Sequence, residues 1–249
     1  MYPHLWVNFL TNKKSMNNDL STIEKHNGVT YIPYISEKPF TPYTAFYQYL
    51  IAERTISKID CNRLKEFLLS KKDEVLEIKD KLTDGGTGLG LESTTARFRS
   101  YNILEWDQED VQILKEAIFK THELYFKHTI GQKPPEVCVP SCWMNIMKKG
   151  QRIRKHNHGY HYRSYLSGNF TVACEESKTI YVNPFVHYTE KELLERVEDW
   201  GDGYTQELYA SNNTPGKLTL FPCYIPHFTT KHQADTERIT IAFELTPVY

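Results

Sequence analysis

The spacing of apolar positions changes character along the chain, from helical periods before Pro134–Pro135 to short alternating runs after it. In DCNRLKEFLLSKKDEVLEIKDKL, Leu64, Leu68, Val75, Ile78 and Leu82 recur at intervals of three, four and seven. That spacing predicts one amphipathic helix, with Asp60 as its cap. In DQEDVQILKEAIFKTHELYF, Val111, Leu114, Ile118 and Tyr125 form a second apolar face, and acidic residues fill the first turn, where the helix dipole favours them. The intervening DGGTGLGLESTTARFRSYNIL predicts a glycine-rich loop followed by a strand. Its GGTGLG is not a phosphate loop: no apolar strand precedes it, no Gly-Lys-Ser/Thr ends it and it does not open directly into a helix.

After Pro135 the runs VCVPSCWMNIM, RIRKHNH, YLSGNFTVAC, KTIYVNP, LTLFPCY and RITIAFEL read as short strands divided by turn residues, the pattern of a sandwich or barrel. One helix interrupts them. Thr189 and Glu192 form a capping box ahead of Leu193, Leu194 and Val197, and GDG at 201–203 closes it. This helix sits in a charged insertion at about 187–210 that is either decoration or a lid. The expected architecture is mainly β with flanking helices: residues 1–134 as a helical support region, and 135–249 as the core.

Composition narrows the setting more than the chemistry. A net charge of −1 gives no electrostatic reason to expect nucleic acid as a partner. No apolar run approaches the length of a membrane span. The N-terminal MYPHLWVNFLTNKK lacks a basic leader and a small-residue cleavage site, so it reads as mature protein. Five cysteines, odd in number and without a close Cys-x-x-Cys pair, fit a reducing, cytoplasmic setting.

The candidate chemistry begins in KHNHGYHYRSYLSG. On a regular strand His156 and His158 share a face, together with Arg152 and Arg154, and two imidazoles on one face can take adjacent positions on a first-row metal. Alone, the pair is equally a solvated strand edge. A third ligand must come from elsewhere: His161 lies past Gly159 in a turn, whereas His227, in PCYIPHF, is better placed to return to the first pair. Structural zinc is disfavoured because no cysteine lies at finger spacing. The letters HNH do not make a nuclease. On the last run, Ile239, Ile241, Phe243 and Leu245 form a core face, while Arg238, Thr240, Ala242 and Glu244 share the other. A buried arginine needs a negative partner, which is either a carboxylate-bearing cosubstrate or a structural partner such as Glu244.

The ordered set Trp143, Asn145, Gly150, His156, His158, Leu166–Ser167–Gly168, Pro215–Gly216, Phe221–Pro222, His227, Arg238 and Thr240 resembles the iron(II)/2-oxoglutarate-dependent oxygenases, in particular the bacterial and phage branch with a His-x-His motif. The resemblance implies a double-stranded β-helix (a jelly roll, cupin-like). It implies that His156, His158 and His227 hold iron(II), that Arg238 and Thr240 take the far carboxylate of 2-oxoglutarate, and that Asn145 contacts cosubstrate or plays a structural part. It further implies dioxygen consumption, release of succinate and carbon dioxide, and hydroxylation of a small polar molecule or an amino-acid or peptide residue. One departure stands out: most of the superfamily has a carboxylate where this chain has His158, so either the site has three histidines or a carboxylate ligates from elsewhere. Arg152, Arg154, Tyr160, Tyr165 and Asn183 are the candidate substrate walls. Two other readings stay open, a three-histidine cupin-type oxygenase that does not use 2-oxoglutarate and a non-enzymatic jelly-roll binder. The N-terminal helices fit either a supporting role or a homodimer interface.

Overall fold

The computed structural model describes residues 23–35, 48–131, 134–159, 165–199, 203–205 and 207–248. Its framework is two antiparallel sheets. The strands are β1 (Glu24–His26), β2 (Val29–Ile35), β3 (Gln48–Thr55), β4 (Cys138–Met147), β5 (Leu166–Ala173), β6 (Lys178–Val182), β7 (Gly203–Tyr204), β8 (Leu208–Asn212), β9 (Lys217–Pro222), β10 (His227–Thr229) and β11 (Arg238–Pro247). The larger sheet runs β1-β2-β3-β9-β5-β11-β4 and the smaller β10-β6-β8-β7.

Alternation along each strand assigns its two faces. On β11, Ile239, Ile241, Phe243 and Leu245 pack with Leu64, Leu68, Val111, Leu114 and Ile118 of the helices. Arg238, Thr240, Ala242 and Glu244 line a cavity on the opposite side. On the smaller sheet, Ile180, Val182 and Phe228 pack outward under Leu193, while Thr179, His227 and Thr229 face the cavity. The order of layers is therefore helices, large sheet, cavity, small sheet, helix. Between the sheets, beside the cavity, Ile32, Tyr34, Ile51, Tyr181 and Phe221 close the sandwich, and the Tyr34 hydroxyl donates to the Tyr181 carbonyl at 2.6 Å. This is the expected mainly β, jelly-roll class.

The helices follow their caps. Asp60 accepts from the amides of Asn62 and Arg63 to start α1 (Cys61–Ser70). The single helix expected over 60–82 is instead broken into α1 and α2 (Lys72–Glu77), and Leu82 lies outside both. At the break the Ser70 hydroxyl donates back to the Phe67 carbonyl at 2.7 Å, a local bond that competes with helix continuation. The second apolar face forms α3 (Glu109–Ile130), which Gly131 ends in the left-handed conformation (φ 74°). The capping box forms as read, with the Thr189 hydroxyl and Glu192 carboxylate bonded and α4 (Glu190–Asp199) following. Gly201 and Asp202 of its expected GDG stop lie outside the described residues.

Three expectations are corrected. The strand expected near 94–104 is absent; Thr94–Arg97 and Ile103–Glu105 form short 3-10 turns, capped by the side chains of Ser93 and Asn102. Those side-chain caps outweigh β propensity. RIRKHNH makes no ladder, only a single bridge from His156 to His227. The region before Pro134 is not wholly helical, because β1–β3 extend the large sheet through β3 and β9. No helix among the described residues is long and apolar enough to cross a membrane.

Candidate metal centre and cosubstrate pocket

The cavity between the sheets, about 600 Å³, holds the only group of three or more potential metal ligands among the described residues: His156, His158 and His227. His227 opens β10, and its segment is held by the small sheet through pairing with Tyr181. His156 is fixed against it by a reciprocal backbone pair, 3.0 Å and 2.9 Å, and the His158 amide donates to the Cys223 carbonyl at 2.9 Å. One ligand atom from each ring lies within 4.8 Å of the others.

The outer nitrogens decide the tautomers. His156 Nδ1 lies 2.8 Å from the Arg154 carbonyl and His227 Nδ1 3.1 Å from the Ile225 carbonyl. A carbonyl only accepts, so both Nδ1 atoms carry the proton and both Nε2 lone pairs are free. His158 Nδ1 lies 2.6 Å from Glu244 Oε1, which holds its proton in the same place. Fixing one ring nitrogen to an acceptor so that the other can ligate is the usual support of a metal-bound imidazole. Burial, reinforced by the neighbouring imidazoles, pushes His156 down to about 4 and His227 well below the ordinary histidine range. Both are thus neutral, the form that binds metal. The donor set fits a first-row divalent ion with open positions.

Arg238 lies in the same cavity and is 2% exposed. Its Nη atoms reach the Thr240 hydroxyl at 3.4 Å, the Thr179 hydroxyl at 3.2 Å and the Met147 sulfur at 3.5 Å, and its Nε has no hydrogen-bond partner. No carboxylate among the described residues pairs with it, and Glu244 is engaged by His158. The nearby Cys174 thiol, whose pKa burial raises, supplies no negative charge. A buried guanidinium with only neutral partners is costly, which an anionic ligand would relieve. Asn145 also lines the cavity, and its Oδ1 accepts from the Thr95 hydroxyl at 2.7 Å, leaving its amide nitrogen as a donor.

The cavity lining among the described residues does not include the expected substrate-wall residues. Arg152 is half-buried and does not line the cavity; exposed Arg154 lies across Gly88 on the outer surface. Tyr165 turns to α3, 3.2 Å from His122 Nε2. Asn183 is buried in the turn after β6, where its side chain accepts from the Phe185 amide. Tyr160, like His161, lies outside the described residues. The cavity is lined on that side by Asp84–Thr87, Phe98, Arg99 and Trp143. This loop is held by Arg97, 0% exposed, which donates to the carbonyls of Leu76, Ile78, Leu91 and Ser93. The Arg154 amide joins it to the histidine segment through the Thr87 carbonyl, 2.8 Å. The glycine-rich turn and the Arg-Phe-Arg run were the signals, but their spacing carries no metal or phosphate pattern.

Comparison with known proteins gives a match over part of the chain. Residues 141–244 match the family model described as "Putative 2OG-Fe(II) oxygenase". The matched segment begins within β4, ends at Glu244 of β11, and contains His156, His158, His227 and Arg238. That family uses iron(II), 2-oxoglutarate and dioxygen. No curated protein matches the sequence. Among solved structures, the chain is similar to AviO1 from Streptomyces viridochromogenes Tue57 (11% identity, 79% of this chain and 89% of that one, TM-score 0.49). It is also similar to HygX from Streptomyces hygroscopicus with nickel and 2-oxoglutarate bound (13%, 81% and 83%, 0.46). A third is a Pseudomonas putida prolyl-4-hydroxylase (12%, 57% and 68%, 0.38).

Proposed function

We propose that this protein is an iron(II)- and 2-oxoglutarate-dependent oxygenase that hydroxylates a small polar molecule or an amino-acid or peptide residue. The observation that carries this reading is Arg238: a buried guanidinium without a carboxylate partner among the described residues, in the same cavity as three imidazoles that each bring a potential ligand nitrogen within 4.8 Å of the others. The cation calls for an anion and the imidazoles for a metal. A dicarboxylate that chelates with one end satisfies both.

The residues divide the work. His156, His158 and His227 hold the metal through Nε2, with their Nδ1 protons kept on Arg154, Glu244 and Ile225. Arg238, with the hydroxyls of Thr240 and Thr179, binds the far carboxylate of the cosubstrate, and the Asn145 amide is available as a further donor. When bound, iron(II) and 2-oxoglutarate supply the oxidative chemistry, in which one dioxygen oxidises the cosubstrate to succinate and carbon dioxide and inserts its second oxygen atom into a substrate C–H bond. Arg238 is 2% exposed, and the low dielectric of that buried position strengthens a carboxylate–guanidinium pair. On this reading residues 1–134 support the 135–249 core, and the five free cysteines are compatible with a reducing, cytoplasmic setting.

The test is succinate formation by the iron(II)-loaded protein with 2-oxoglutarate, ascorbate and a library of candidate substrates under air. Substrate-stimulated succinate release with a product 16 mass units heavier is expected, the increment of one oxygen atom. Product formed at the same rate without 2-oxoglutarate would overturn the reading in favour of a cosubstrate-independent oxygenase.

A further inference from the structure

Building on that reading, the outer half of the cavity carries features that the metal and the cosubstrate do not use. Phe98 and Trp143 stand together with ring centroids 5.3 Å apart, and Trp143 continues to His158 at 6.0 Å. An aromatic wall therefore reaches from the 83–99 loop to a proposed metal ligand. Arg99 lines the same cavity from its exposed rim, with its guanidinium carbon 5.1 Å from the centre of the Phe98 ring. Among the described residues no ion pair or hydrogen bond engages Arg99, whereas the acid of the loop that lines the cavity, Asp84, is already bonded to the amides of Gly86 and Gly88 at 2.9 Å and 3.2 Å.

We infer that the substrate is a small molecule with a planar, unsaturated or aromatic body and a carboxylate or similar anionic group, the anion held by Arg99 and the body laid along Phe98 and Trp143. Two arguments support the class. A guanidinium resting on a ring is oriented before the ligand arrives, and its planar fork suits an oxyanion. Flat rings pack on flat faces, and the Phe98–Trp143 surface leads toward the metal side of the cavity, so an anchored anion directs the far end of the molecule to the reacting position. The fixed loop supports this. Arg97 ties residues 76–97 by hydrogen bonds to four carbonyls, so Phe98 and Arg99 follow a braced segment.

The test uses indole-3-acetate and cinnamate, each paired with its neutral amide, titrated by calorimetry into manganese-loaded protein with and without 2-oxoglutarate. Wild type is expected to bind each acid about tenfold more tightly than its amide, the size of one charge-assisted hydrogen bond. In Arg99→Gln that preference falls to within about twofold, while 2-oxoglutarate affinity is unchanged. In Phe98→Ala both acid and amide weaken together. Equal binding of acid and amide, an acid preference that survives Arg99→Gln, or no binding of any probe would overturn the inference. Loss of 2-oxoglutarate binding in wild type contradicts the proposed function instead, and the acid–amide comparison without cosubstrate still reports on Arg99.

Discussion

Glu244 is the side chain that, under the proposed function, reconciles His158 as a third imidazole ligand with a site usually completed by a carboxylate. It stands 2.6 Å behind His158, so its negative charge sits one residue further from the metal position. That arrangement orients the ring without occupying a coordination position. Glu244→Gln should weaken manganese binding by about 10–100-fold, measured by calorimetry, with little change in the unfolding midpoint of the metal-free protein. If affinity is unchanged, Glu244 is not the support of His158. His227→Ala should abolish stoichiometric manganese binding, since it removes the histidine that ties the small sheet to the centre. At this scale the sequence carried the three histidines, Arg238 and Thr240, because their order is one-dimensional. The role of Glu244 was not legible. It shares a face with Arg238, which made it look like that residue's own partner, and only the fold shows it turned to His158.

Among the elements, the junction between α1 and α3 rests on one buried carboxylate. Asp110 is fully buried and receives Arg63 Nε at 2.6 Å, Arg63 Nη2 at 2.9 Å and the Asp60 amide at 3.0 Å. The Arg63 hydrogen bonds hold its pKa down to about 2. A carboxylate depressed below its unfolded value of about 3.9 adds stability above that pH and loses it as pH falls through about 2. Asp110→Asn should therefore destabilise the protein at pH 7 by about 2 kcal/mol and flatten its loss of stability between about pH 4 and 2, read by urea denaturation across that range. In the large sheet, a Cβ on Gly168 would come within 2.2 Å of the Phe243 ring and 2.4 Å of the Thr219 carbonyl. Gly168→Ala should cost about 1–3 kcal/mol by forcing β9 and β11 apart, checked by the same denaturation. Elements with a strong period or cap were readable, as with β11, α3 and the Thr189 box. Those governed by distant partners were not. The 84–104 segment takes its form from carbonyls gathered around Arg97 and from side-chain caps, and the 151–158 segment from one bridge to β10, neither of which leaves a periodic trace.

For the molecule as a whole, layering explains where the chemistry lies. Helices cover the outer face of the large sheet and α4 covers the small one, so the polar and ionisable side chains of β4, β6, β10 and β11 have only the space between the sheets to face. A sandwich or barrel followed from the strand pattern after Pro135 and the jelly roll from the family resemblance, but the contribution of β1–β3 to the same sheet followed from neither, since it depends on pairing across about 165 residues between β3 and β9. The central claim is that the buried arginine and the three imidazoles together bind one dicarboxylate through a metal. Calorimetric titration of 2-oxoglutarate into wild type and Arg238→Met, each with and without manganese, tests it most directly. The account predicts one equivalent bound by manganese-loaded wild type, and affinity at least about 100-fold weaker when either the metal or the guanidinium is removed. Binding that persists unchanged without manganese, or in Arg238→Met, would contradict it.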